Sequence, residues 1–215
     1  MVYLPDEMKT SEFDSSDEEA VEEELQTPLQ ISWLSLSEVE CSQCLGICPL
    51  PGCRFKDIRR NLQRDIGELQ GQGVQEVFVF CTRGELHKYR VPCLLDAYQQ
   101  QGLGVHHLPF PDGGVPELGQ CCQILEELQL SIENNRKTVI HCYGGLGRSG
   151  LMAACLLLKL SVTMTPDKAI DILRQLRGGG AIQTVKQYNF LHEFREKYAA
   201  YQDTKEVSLE RSLSR

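Results

Sequence analysis

A short apolar run, Thr138-Val-Ile140, leads into His141-Cys-Tyr-Gly-Gly-Leu-Gly-Arg-Ser-Gly150, and a long one, Leu151-Met-Ala-Ala-Cys-Leu-Leu-Leu158, leads out. That order reads as a strand, a tight glycine-rich loop and a helix, with a thiol at the end of the strand. Five residues separate Cys142 from Arg148, and three of them are glycine. Glycines let backbone N–H groups turn inward at positive φ. Consecutive inward N–H groups make an anion-binding nest, and the helix start adds its positive dipole end. Arg148 adds a planar fork that fits phosphate oxygens. A bound phosphoryl group would sit above the Cys142 sulfur. The same field is expected to lower that thiol from about 8.5 into the range of roughly 3.5–7.5, which makes it a nucleophile. A buried cysteine in a plain glycine-rich turn is the competing reading. His141 could steady the loop by hydrogen bonds, or it could be an ordinary packed histidine. Ser149 could donate to the sulfur as it leaves phosphorus, or could cap the helix.

Such chemistry needs a general acid on a loop near the mouth. Phe110-Pro-Asp-Gly-Gly114 offers Asp112, thirty residues before Cys142, between an expected strand at Gly104–Leu108 and a helical run at Glu117–Asn134. Pro-Asp-Gly is also a common turn sequence. Gln183 and Gln187 lie four apart just ahead of an expected helix at Tyr188–Tyr198, a spacing that would put both amides on one helix face, where they could position a water or be ordinary exposed glutamines. Cys81 closes an apolar run, Val77–Cys81. It is a candidate for a reversible disulfide with oxidised Cys142, or else a core thiol. Cys41-x-x-Cys44 lacks a second ligand pair at zinc-finger spacing, so no metal is expected.

The 215 residues suffice for one domain with a core. Strands alternate with helices, which implies an α/β fold: a single domain with a central, mostly parallel twisted sheet flanked by helices. Further strands are expected at Ile31–Leu36 and helices at Phe55–Gln70, at Val91–Gln100 and from Thr165-Pro-Asp onward. The net charge of −8 is not spread evenly. Residues 1–27 hold ten acids and one lysine, and the remainder is close to neutral. The boundaries read as an acidic disordered tail at 1–28, a domain at 29–200 and a polar C-terminal tail at 201–215. Ser15-Ser-Asp-Glu-Glu19 resembles an acidophilic kinase site, or is a solvated charged tail with no such role. No basic run suggests nucleic acid, and no apolar stretch suggests a membrane span or a secretory leader. A monomer in the cytoplasm or nucleus, with its cysteines mostly thiols, is the expectation.

Cys142, Gly145, Arg148 and Ser149 fit the pattern His-Cys-x-x-Gly-x-x-Arg-Ser/Thr. The loop therefore resembles the signature of the cysteine-dependent protein tyrosine phosphatase superfamily. The resemblance implies a phosphocysteine intermediate and no metal or cofactor. It casts Tyr143, Gly144, Gly145, Leu146, Gly147 and Arg148 as the phosphate cradle. It also makes Asp112 the acid, in a loop where the superfamily has Trp in place of Phe110. Gln183 becomes the water-positioning residue, with Gln187 as support at the substrate. The pocket-deepening Lys-Asn-Arg-Tyr loop of tyrosine-only enzymes is missing, and Tyr143 to Gly147 carry no charge. Both departures point to the dual-specificity branch acting on protein rather than on a phosphoinositide. Thr10–Glu19, Ile31–Ser37, Val79–Leu86, Lys88–Pro92 and Gly180–Thr184 are similar to the cyclin-dependent-kinase-associated phosphatases. That likeness implies the activation-loop phosphothreonine of a phosphorylated cyclin-dependent kinase as substrate and partner. A phosphate-binding adaptor without turnover, and a sulfur-transfer or arsenate-reducing enzyme, are the rival readings of the same loop.

Overall fold

In the computed structural model, which describes residues 27–213 with side chains as far as Ser208, alternation in the first apolar stretch becomes β1 (Ser32–Ser35). It is followed by β2 (Cys44–Cys48), α1 (Leu62–Gly71), β3 (Glu76–Val79), α2 (Arg83–Lys88), α3 (Leu94–Gln100) and β4 (Gly104–His107). Then come α4 (Leu118–Glu133), β5 (Thr138–His141), α5 (Arg148–Leu160), α6 (Pro166–Arg177) and α7 (Val185–Leu213). The strand order is β1-β2-β5-β3-β4, with β1 antiparallel to β2 and every other pair parallel. The chain is thus an α/β domain with a mostly parallel sheet. The acidic-tail expectation falls outside the described residues, except at Thr27 and Pro28.

The last strand in sequence is the middle one in space. β5 pairs Val139 with Gly46 on one side and with Val77 on the other. A strand buried on both sides and both faces reads as a continuous apolar run, as Thr138-Val-Ile does. From it the chain enters α5, whose residues Arg148 to Leu158 are all buried. That explains a helix apolar all round. α5 packs on β2 and β5 and is enclosed by α4, α6 and α7. The glycine-rich loop therefore emerges at the carboxyl end of a central strand, where ligand sites gather in such sheets.

Four elements differ from expectation. Residues 55–61 are not helical. Asn61 is extended and its side chain accepts from Arg64 N at 3.0 Å, so the helix begins at Leu62. The loop before it is held instead by buried Asp65, which takes Gly52 N at 2.8 Å and both ends of the Arg60 fork. The cysteine-rich stretch from Cys44 is β2, a strand the pattern did not reveal, and Cys48 and Cys53 are buried in the core. Among the described residues no cluster of three or more His, Cys, Asp or Glu side chains is placed to hold a metal ion. A short helix, α2, also went unforeseen. Finally, α7 starts three residues early and continues through the polar C-terminal segment. Lys205 there reaches Glu126 on α4 at 3.4 Å. Among the described residues no helix is long and apolar enough to cross a membrane.

Candidate active site

Every carbonyl of the loop from Tyr143 to Gly147 is engaged by the scaffold. Tyr143 O accepts from Leu50 N at 2.9 Å, Leu146 O from Ile182 N at 3.2 Å and Gly147 O from Leu151 N at 2.9 Å. Arg177, at the end of α6, donates to Gly144 O at 3.0 Å and Gly145 O at 3.1 Å, while its third nitrogen holds Ser32 Oγ at 3.0 Å. In a planar trans peptide the N–H points opposite to the C=O. Pulling these carbonyls outward thus turns the following N–H groups inward, as an anion nest requires. Gly145 has φ +67, and a Cβ there would lie 2.5 Å from Cys48 O, so only glycine fits. A Cβ on Gly147 would lie 2.6 Å from Gln183 Oε1, so the glycine lets that amide lie against the cradle. The cradle residues Tyr143, Gly144, Gly145, Leu146 and Gly147 thus surround one site, with the 3 %-exposed Cys142 at its base.

Arg148 is completely buried and opens α5. Its Nη1 donates to Phe80 O at 3.1 Å, Phe110 O at 3.0 Å and Glu85 Oε2 at 2.8 Å, and Nη2 donates to Glu85 Oε1 at 2.6 Å. Burial disfavours its charge. The Glu85 carboxylate and the thiols of Cys142 and Cys81 outweigh that and hold the guanidinium firmly protonated. Glu85 mirrors it: burial pushes its carboxyl up, but the bonds from Arg148 and Thr82 keep it below the usual range. Glu85 is itself set by α2, whose capping box pairs Thr82 N with Glu85 Oε2 and Glu85 N with Thr82 Oγ1. Two neighbouring donors are left over. Arg148 Nε and Ser149 Oγ are the buried side-chain polar atoms that lack a partner among the described residues. Buried donors without acceptors are costly, so such a pair marks a place for an anion. Ser149 is not the helix cap. Gly147 occupies that position, and Ser149 lies in the first turn with its hydroxyl unspent.

Asp112 comes to this site by a fastened loop. Phe110 is buried, the Asp112 side chain is 62 % exposed, and its Oδ1 lies 3.4 Å from Arg148 Nη2. Thr184 Oγ1 donates to Gly113 O at 2.9 Å and Gln187 Nε2 to Gly114 O at 3.1 Å. Gln187 Oε1 accepts from Gln183 N at 2.9 Å. The two glutamines do not share a helix face, because Gln183 precedes α7 and Gln187 sits in its first turn. Gln183 is exposed at the mouth. Gln187 is wholly buried with both amide ends taken by backbone, which makes it a positioning residue rather than a substrate contact.

His141 is buried and neutral. Burial lowers it to about 4, against the hydrogen bond to Cys142 O and with help from Arg148. A carbonyl can only accept, so Nδ1–H donates to Cys142 O at 3.4 Å and Nε2 accepts from Tyr98 O–H at 2.9 Å. It holds the strand end without adding charge. β3 and β5 run in register with Val79 opposite His141, so Cys81 and Cys142 leave adjacent strand ends. Burial pushes the Cys81 thiol well above its ordinary range, Arg148 pulls it back, and the nearby Cys142 adds to the rise. Both thiols are free. Glu85, Arg177 and Tyr98 were not singled out by sequence. Of these, Glu85 alone had a local signal, the Thr82-x-x-Glu85 capping pattern.

Comparison with known proteins agrees with this geometry. The family model for cyclin-dependent kinase inhibitor 3 (CDKN3) matches residues 2–170. Cyclin-dependent kinase inhibitor 3 of Sus scrofa is 65 % identical over 211 residues, covering 98 % of this chain and 99 % of the relative. The Homo sapiens protein of that name is 64 % identical over the same span and coverage. The solved structure of kinase associated phosphatase, carrying serine in place of its catalytic site cysteine, superposes with a TM-score of 0.80 at 66 % identity. It covers 81 % of this chain and 98 % of that one.

Proposed function

We propose, for a chain that belongs to the cyclin-dependent kinase inhibitor 3 family and is a dual-specificity protein phosphatase, that the phosphoryl group passes first to Cys142 and then to water. The Cys142 thiolate attacks phosphorus from the floor of the cradle. The inward N–H groups and Arg148 Nε take the three equatorial oxygens, where charge builds in the transition state. As the P–O ester bond breaks, Asp112 gives its proton to the leaving oxygen, so an alcohol departs and phosphocysteine remains. Gln183 then orients a water, Asp112 takes that water's proton, and the S–P bond breaks to release phosphate. Ser149 Oγ donates to the sulfur as it becomes thiolate again. The carrying observation is that Arg148 Nε and Ser149 Oγ, on consecutive residues at the end of the loop, are buried without a partner while every carbonyl from Tyr143 to Gly147 is bonded to the scaffold.

The substrate we read is the activation-loop phosphothreonine of a cyclin-dependent kinase, in the cytoplasm or nucleus, so that hydrolysis restrains the cell cycle. The names of the relatives support this, and so does a cradle without charge between Tyr143 and Gly147, which offers nothing to a polyphosphorylated lipid headgroup. Acid quench and mass spectrometry of Gln183→Ala during turnover should trap phosphate on the Cys142 peptide, while Cys142→Ser binds phosphopeptide without turnover. Turnover by Cys142→Ser would end the phosphocysteine reading.

A further inference from the structure

One rim of the pocket is aromatic and basic in a way the hydrolytic step does not use. Tyr143, inside the cradle, stacks on Tyr89 at 4.5 Å between ring centroids, and Phe55 meets both rings edge-on at 5.2 and 6.2 Å. Lys88 Nζ lies 5.3 Å from the Phe55 centroid and 5.7 Å from that of Tyr89, and Lys56 Nζ lies 5.6 Å from Phe55. Arg54, Arg59, Arg83 and Arg90, on the same two segments, are also exposed, against one exposed acid, Asp57. A domain that is nearly neutral overall thus concentrates cations beside its own catalytic mouth.

Thr27, where the described residues begin, is held by the loop that carries Phe55 and Lys56. Arg60 closes the Phe55–Arg60 loop on Asp65, and its Nη2 also donates to Thr27 O at 3.1 Å. Residues 1–27 hold ten acids and one lysine, and six of the acids fall between Asp17 and Glu24, three residues from the anchor. Lys56 and Arg60 are four residues apart, so at most about 14 Å separates their Cα atoms, while Asp17 can reach roughly 35 Å from Thr27.

We propose that the acidic segment Asp17–Glu24 of the same chain docks on the rim formed by Lys56, Lys88 and the arginines around Phe55 and Tyr89. It competes there with the acidic flanks of phosphoprotein substrates. The proposal rests on the hydrolytic reading of the site for its consequence, but not for the contact itself. Ser15 and Ser16 directly precede the acidic run, so phosphorylation there would add charge at its outer end.

Zero-length carbodiimide cross-linking of the full chain, read by mass spectrometry without substrate, tests the contact. Peptides joining residues 17–24 to Lys56 or Lys88 are expected, within one chain when isotope-labelled and unlabelled chains are mixed. Cross-links to other lysines only, or only between two chains, would overturn the docking. A full chain with Asp17→Asn and Glu18, Glu19, Glu22, Glu23 and Glu24→Gln tests the consequence. Its KM for an acidic phosphopeptide should fall roughly fivefold at about 0.02 M salt, and the difference should vanish near about 0.5 M. Its kcat on a small aryl phosphate should be unchanged. An equal KM at low salt would refute the competition. No turnover by either form would instead refute the hydrolytic reading, and the cross-links would still decide the docking.

Discussion

Arg148 can serve a phosphate because Glu85 spends the other side of its guanidinium. The pair is bidentate, with the arginine side chain fully buried and that of Glu85 16 % exposed. Removing one charge from such a pair leaves the other stranded, at a cost of about 3–5 kcal/mol. Gln keeps an acceptor and the shape, so Glu85→Gln should lose roughly 2 kcal/mol of unfolding free energy. It should also lose phosphate affinity as Arg148 swings free, and competitive inhibition by inorganic phosphate would read this. Unaltered inhibition would mean that Phe80 O and Phe110 O suffice to aim the fork. His141 gives a pH signature. Its value in the fold is about 4 against 6.5 for a free imidazole, so the unfolded chain takes up a proton that the folded one refuses. Stability from this group is complete above pH 6.5 and falls as pH drops toward 4, by on the order of 3 kcal/mol. Urea midpoints should fall between about pH 7 and about pH 5 in the native chain, and a His141→Asn chain should lack that slope. The same midpoint in the native chain at both values would show that imidazole uptake does not couple to folding. For Cys81, peroxide should yield a Cys81–Cys142 linked peptide through a sulfenic acid on Cys142, with water as the leaving group. Absence of that peptide would return Cys81 to a packing role.

At the scale of elements, periodicity placed what is regular. The expected helix at Glu117–Asn134 is α4 at Leu118–Glu133, and Thr165-Pro166 opens α6 with its hydroxyl on Lys168 N. Cys44-Leu-Gly-Ile-Cys48 hid a strand because cysteine and glycine carry little β signal, and Gly46 is there for a tertiary reason. A Cβ on it would lie 2.7 Å from Val139 and 2.9 Å from Trp33. The signature loop was legible because its spacing is local, whereas Asp112 and Gln183 took their roles from the family resemblance, their own patterns being equally those of a turn and an exposed amide. The clamp of Arg177 on Gly144 and Gly145 was not, since it joins residues 32 and 33 positions apart and has no pattern of its own. The acid loop shows what such long-range fastening does. Gln187 ties Gly114 O to Gln183 N, so Gln187→Leu leaves two partly buried backbone groups without this partner, at about 1 kcal/mol. It should slow alkyl phosphate hydrolysis more than aryl phosphate hydrolysis, because only the alkyl oxygen needs a well-placed proton. Asp112→Ala should do so more severely, by roughly 10²–10⁴-fold. Equal slowing of both ester types by Gln187→Leu would confine that residue to stability.

Across the whole molecule, the site draws on four segments far apart in sequence: Cys81–Glu85, Phe110–Gly114, Cys142–Ser149 and Gln183–Gln187. The sheet order makes this possible by inserting β5 between β2 and β3, so that the loops after β3, β4 and β5 share one edge. On the proposed reading that assembly would hold a phosphoryl group by backbone N–H groups and one arginine, which recognise the phosphate and not the residue that carries it. The cradle has no charge of its own between Tyr143 and Gly147. Selection among phosphoproteins therefore has to come from contacts outside the pocket, on the folded partner. Such contacts add binding energy that a short peptide cannot supply, and part of it can be used to orient the ester for attack. An intact phosphorylated cyclin-dependent kinase should accordingly exceed its own activation-loop phosphopeptide by roughly 10²-fold in kcat/KM. Most of the gain should fall in KM, and it should disappear when the kinase is unfolded before assay. Equal kcat/KM for kinase and peptide would place the selection inside the pocket, where the residues present give it no means.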